Sequence, residues 1–235
     1  MARLFDDGNL DYLRSDNAII SPPFSVTAFA SSNDLAVTQT IWAIGTLGGW
    51  ENYYELVIDT NDTLRVTRND GSSVHTYTST NFTLNTWGHA ALVVAAVDDI
   101  AIFLDGGGKG TSVVSVTPIG MDVTGIGALI RLGGASGDEM SGCIAHPAIW
   151  DCALTDAEVL SLALGKFPWQ VRPESLVAYW PLGDDIRDHV GQYHMTAYNS
   201  PIWTPHPPQM PSTKRRLWHR GLPATNLFKG HEVFR

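Results

Sequence analysis

Hydrophobic and polar residues alternate along most of the first 165 positions. Phe24, Val26, Ala28 and Ala30 alternate with Ser25, Thr27 and Phe29, and over 53–59 Tyr54, Leu56 and Ile58 oppose Tyr53, Glu55, Val57 and Asp59. A period of two sends successive side chains to opposite faces of a strand. Residues 63–69 continue this pattern after the turn Asn61-Asp62. Asn69-Asp70-Gly71 then supplies the positive-φ residues of a hairpin, and 73–78 returns. Residues 87–96 are mostly apolar, which predicts a central strand buried on both faces. Residues 100–105 pair with it across Asp98-Asp99, and the turn Asp105–Gly110 leads into 111–117. Segments 128–134 and 141–151 complete the set, with Pro147 marking an edge strand or a bulge. Short strands separated by turns at this spacing predict an antiparallel all-β sandwich.

One helix interrupts the pattern. Thr155-Asp156-Ala157-Glu158 is a capping box, VLSLAL follows it, and Gly165 suits the residue just past the helix end. Its apolar side, Val159, Leu160, Leu162 and Ala163, is expected to close one end of the sandwich. Beyond it, 176–182 and 193–198 read as strands flanking a turn-rich loop. Five prolines between Pro201 and Pro211 then predict an extended path.

Charge changes this picture at the C-terminus. The 235 residues carry a net charge of −9, and only 17% of them are charged. Residues 205–235 hold six basic side chains against Glu232, a local +5, which leaves −14 on the rest. The same stretch carries Trp218, Leu222, Phe228 and Phe234. A basic, apolar arm on an acidic body is expected to grip an acidic partner. No apolar run approaches the roughly 18 residues of a membrane-spanning helix. Six basic residues beside so acidic a body make a weak nucleic-acid footprint. The first residues lack an apolar signal core, so synthesis in a cytoplasm is expected. Cys143 and Cys152 are separated by a predicted strand, too far apart for the roughly 7 Å that a disulfide allows, which predicts two free thiols.

Several segments together resemble the laminin-G-like branch of the concanavalin A-like jelly-roll sandwiches. These are DDGNLDYLRSDN (6–17) with FSVTAFA (24–30), TWGHAALVV (86–94), IAIFLDGGGKGT (100–111) and LGGASGDEMSGCIAHPAIWDCALTDAEV (132–159). LVAYWPLGDDIRDHVGQYHMTAYN (176–199) resembles a segment that opens many members, yet here it follows the helix. Either the sandwich is circularly permuted or a truncated second copy begins there. Permutation is preferred, because chain ends in compact domains are often adjacent. The expected organisation is a sandwich over 1–168, permuted edge strands of the same sandwich over 169–204, and an extended arm over 205–235.

The fold does not fix the function. Relatives of this fold that cleave glycosides need paired carboxylates, and the nearest pair, Glu55 and Asp59, would stand about 13 Å apart on a regular strand. Catalytic pairs stand within about 5–9.5 Å. No catalytic residues are assigned and the protein is expected not to be an enzyme. The resemblance implies calcium held by loop carboxylates, for which Asp138 and Glu139 are the candidates. The acidic residues of the family's "I-D-E-V" step are replaced, however, by Ala145 and His146 in Ile144-Ala145-His146-Pro147. Trp50, Tyr53 and Tyr54 beside Gly48-Gly49 are a candidate glycan platform. The principal expectation is a capsid decoration protein of a tailed phage, located in the virion. It would dock on the major capsid protein or another virion subunit through Arg215, Arg216, Trp218, Arg220, Leu222, Phe228 and Phe234, and by analogy would form a trimer. The alternative is a lectin-like carbohydrate-binding module on a viral or bacterial surface, and a glycoside hydrolase or lyase ranks third.

Overall fold

A computed structural model describes residues 2–19, 21–131, 134–135, 137–205 and 207. The early strands are β1 (Ala2–Phe5), β2 (Tyr12–Ser15), β3 (Phe24–Ser32), β4 (Gln39–Gly45), β5 (Tyr53–Ile58), β6 (Thr63–Asn69) and β7 (Ser73–Asn81). Next come β8 (Gly88–Ala96), β9 (Asp99–Leu104), β10 (Gly107–Ser112), β11 (Val123–Ile126), β12 (Ile130–Arg131), β13 (Gly134–Ala135) and β14 (Gly142–Trp150). After the helix α1 (Asp156–Ala163) come β15 (Leu176–Tyr179), β16 (Thr196–Tyr198) and β17 (Ile202–Thr204).

Two antiparallel sheets form a sandwich. One has the order β10-β9-β8-β3-β14-β1-β17 with β15 also on β14; the other has the order β16-β2-β11-β4-β5-β6-β7. The predicted alternation sets their inner faces. Phe24, Val26, Ala28, Ala90, Leu92 and Val94 meet Trp42, Ile44, Tyr54, Leu56 and Ile58 in one core. Burying a large apolar side chain contributes roughly 1.5–3 kcal/mol, so this layer dominates the favourable side of folding.

The outer face of the first sheet is covered. The capping box forms as read, with Thr155 accepting from the Glu158 N–H and Glu158 accepting from the Thr155 N–H. Val159 and Leu162 then pack on Ala91, Val93, Phe103 and Trp150. The helix therefore lies on a sheet face rather than closing an end, and Leu160, expected to be buried, is 43% exposed. Phe167, stacked on Trp169 at 4.3 Å, extends this cover over Phe29 and Ala145.

Pro147 lies within β14, which is a central strand. The strand bulges there: His146 has φ +52°, and the register on β3 shifts between Ala145 and Ala148. The bulge also separates the partners of the other edge, β1 on Arg3↔Ile144 and β15 on Ala148↔Tyr179. The late strands enter both sheets, β15 on β14, β17 on β1 and β16 on β2. Trp180, fully buried, donates its Nε1–H to the Tyr193 carbonyl at 2.7 Å. Residues 113–117, expected to continue a strand, instead form a loop after β10. Cys143 and Cys152 are free thiols.

Candidate functional site

The other outer face, on the seven-stranded sheet, is only partly covered. Residues 128–131 lie over β4 and β11, where Leu129 packs on Ala43 and Tyr53, and Ile130 on Val123. Gly125 permits this approach, since a Cβ there would collide with the Ala128 carbonyl oxygen. The rest of the face, on β5, β6 and β7, carries polar side chains in register. Tyr53 pairs with Asn69 and Asn69 with Ser73; Glu55 with Thr67 and Thr67 with His75; Val57 with Arg65 and Arg65 with Tyr77. His75 is exposed and Tyr77 is 44% exposed.

At one border of this face stands Trp50, 59% exposed. The Arg131 guanidinium carbon sits 4.7 Å from the Trp50 ring centroid and 5.6 Å from that of Tyr53. Its Nη1 donates to the Trp50 carbonyl at 3.4 Å. A cation over an indole contributes about 0.5–1 kcal/mol at exposed sites. Here it also fixes the ring while leaving much of its surface open to solvent.

Beneath the partial cover lies Glu55, 3% exposed, whose Oε1 accepts from the Thr40 hydroxyl at 2.7 Å. Burial pushes its carboxyl up to about 7. The Asp138 charge adds to the rise, while the Thr40 hydrogen bond and the Arg65 and Arg131 charges oppose it. Arg65 is ion-paired with the buried Asp59. Thr67 Oγ1 and His75 Nδ1 are hydrogen-bonded at 3.2 Å; partial desolvation of the ring on its sheet side, helped by the Arg65 charge, holds the His75 imidazole below its usual range although the residue is largely exposed. Glu55 and Asp59 are thus both buried, and Asp59 is neutralised by an arginine.

The candidate platform is only partly brought together. Trp50 and Tyr53 share Arg131, but Tyr54 points into the core, 1% exposed and edge-on to Phe24 at 5.2 Å. Its place opposite Tyr53 follows from the period of two. Arg131, Asn69, His75 and Tyr77 were missed. The β6 and β7 residues were readable from alternation across the Asn69–Gly71 hairpin; Arg131 reaches Trp50 from 81 residues away and leaves no local signal.

The calcium candidates Asp138 and Glu139 are neighbours in one loop. Asp138 is exposed with φ +57°, and Arg65 and Arg131 are among the charges acting on it. Glu139 Oε1 accepts from the Gly137 N–H at 3.3 Å, within its own loop. Calcium requires six to eight oxygens, and among the described residues no three acidic, histidine or cysteine side chains converge to hold a metal. The docking-arm residues Arg215, Arg216, Trp218, Arg220, Leu222, Phe228 and Phe234 lie outside the described residues. No described helix is long and apolar enough to cross a membrane.

The two-sheet architecture recurs in solved structures. A native heptameric SAP-like pentraxin from Limulus polyphemus aligns with TM-score 0.59 and 18% identity, over 86% of this chain and 93% of that one. A putative carbohydrate binding protein from Bacteroides ovatus gives TM-score 0.60 and 20% identity, over 86% and 60%. The CBM40 of Ruminococcus gnavus IT-sialidase, bound to alpha2,3 sialyllactose, gives 0.53 and 12%, over 61% and 84%. At these identities the likeness concerns the fold. No curated protein matches the chain. The profile of the laminin-G-like group within the concanavalin A-like lectin/glucanase superfamily matches residues 7–160, two thirds of the sequence, and the chain belongs to that superfamily.

Proposed function

We propose that this protein is a lectin-like carbohydrate-binding module and that it binds saccharide, without cleaving it, on the exposed part of the seven-stranded sheet's outer face. One observation carries the reading: Trp50 is 59% exposed, yet its indole is held by Arg131, whose guanidinium also lies over the Tyr53 ring. A sugar ring offers an apolar C–H face to such an indole. A ring fixed in advance avoids the roughly 0.5–1.5 kcal/mol of ordering that a mobile side chain loses on binding. Asn69, Ser73, His75 and Tyr77 lie along the same face and can meet sugar hydroxyls. Carbohydrate-binding proteins among the similar structures support the reading. The arm behind the virion-decoration expectation lies outside the described residues, and no observation favours that expectation over glycan binding.

A glycan array followed by calorimetric titration tests this. Trp50→Ala should weaken binding of any saccharide hit at least about tenfold, the 1.4 kcal/mol scale of one lost stacking contact. The melting temperature should move little, because the ring is on the surface. A full array without a hit, or affinity unchanged in Trp50→Ala, overturns the proposal.

A further inference from the structure

The loop joining β10 to β11 combines two properties that rarely go together. Its aliphatic side chains are open to solvent: Val113 is 81%, Val114 51% and Ile119 67% exposed. Its backbone is nevertheless tied down. Arg68, fully buried, donates through Nη1 to the Val114 carbonyl and to the Val97 carbonyl, each at 3.0 Å, and through Nη2 to Ser112 Oγ at 2.9 Å. The Val116 N–H donates to the Val97 carbonyl at 3.1 Å, the Thr117 N–H to Asp70 at 2.9 Å, and the Ile119 N–H to Asn52 Oδ1 at 3.0 Å. Burying a guanidinium against neutral acceptors is costly. Here it holds an apolar ridge in one conformation facing outward, which is how a docking surface limits its ordering cost.

Charge, direction and length point to the occupant. Asp70 and the turn Asp98-Asp99 adjoin the ridge through Thr117 and Val97, so its border is acidic. Residues 208–235, outside the described residues, carry +5 together with Leu217 and Trp218. From Ile202 to Thr204, β17 passes Leu4 toward Ala2; through β14 and β3 the register carries the same direction to β8, which runs on to Val97 at the ridge. The chain thus leaves β17 heading for the end of the sandwich that bears the ridge. β17 and β10 are opposite edges of one sheet, six strand spacings apart, or about 29 Å. The twelve residue-to-residue steps from Pro205 to Leu217 span about 40 Å when extended, which is sufficient.

We propose that the chain's own C-terminal segment crosses this end of the sandwich and seats Leu217 and Trp218 on the Val113–Val114–Ile119 ridge, with Arg215 and Arg216 beside the acidic border. The Ile119 end of this seat is tied to Asn52, two residues from Trp50, but the proposal does not depend on glycan binding. The test places the photocrosslinker p-benzoylphenylalanine at Val113, at Ile119, and, as a control, at the exposed Leu84 beyond the opposite strand ends, each in the full chain. Peptide mapping should find tail peptides containing Trp218 attached at the first two positions, within a product of monomer mass. The yield should fall several-fold between about 0.05 M and about 0.5 M salt, as screening weakens the charge contacts, and also in the double variant Leu217→Ser, Trp218→Ser. Cross-links that lack the tail, that form equally at Leu84, or that occur only in a product of twice the mass overturn the proposal.

Discussion

Two buried titratable residues give stability opposite dependences on pH. His89 is 2% exposed, its ring lies edge-on to Phe29 at 4.9 Å, and Nδ1 has no partner. Burial lowers its pKa from 6.5 to about 3, so the folded protein holds it neutral. The unfolded chain takes up a proton below pH 6.5, and stability is lost as pH falls below that value. The expected loss attributable to His89 is about 3 kcal/mol at about pH 4.5, from 1.36 kcal/mol per unit. Denaturant unfolding at about pH 7 and about pH 4.5 checks it: the pH dependence should be clearly weaker in His89→Gln. Glu55 acts the other way. Its carboxyl is raised to about 7, so its contribution is fully present below about pH 4.5 and is lost as pH rises through about 7. Glu55→Gln, which keeps an acceptor for Thr40, should therefore stabilise the protein by about 1–3 kcal/mol at about pH 8 and far less at about pH 4.5. Equal unfolding midpoints for this variant and the parent at about pH 8 would show the carboxyl to be ordinary.

The elements differ in how plainly the sequence announces them, and the differences have physical causes. β6 spans Thr63–Asn69 as read, because it is bracketed by turns whose residues accept positive φ, Asp62 at +65° and Gly71 at +111°. The helix was legible from its capping box. β4, QTIWAIG, was missed because all seven residues are buried and no polar alternation marks it. β11, VTGI, has four buried residues and a glycine demanded by a crossing loop. The most consequential elements are the late ones. β15, β16 and β17 cover edges of β14, β2 and β1, and Ala178, Trp180, Leu182 and Met195 enter the main core. A chain ending at Lys166 would lose those side chains and expose three strand edges. It should not unfold cooperatively, and calorimetry or thermal circular dichroism will show this. A stable 1–166 fragment with a sharp transition would assign the late strands a dispensable role.

Across the whole molecule, the faces of the sandwich divide the work. The first sheet's outer face is closed by α1 and by Phe167 and Trp169, and the cores on both sides of that sheet are apolar. The second sheet's outer face is left partly open and polar, with Trp50 at its border. Sequence alternation indicated which residues face outward, but it could not say which outward face would be covered. That depends on contacts between distant segments, such as Leu129 with Tyr53. The candidate site was accordingly legible as a set of outward residues and not as a place. The account's central claim is that saccharide meets this open face at Trp50. Indole N–H resonances titrated with a saccharide identified on the array test it most directly. The Trp50 signal should shift in proportion to saturation, while those of the buried Trp42, Trp150 and Trp180 stay fixed. Saturable binding that leaves the Trp50 signal unmoved would contradict the claim.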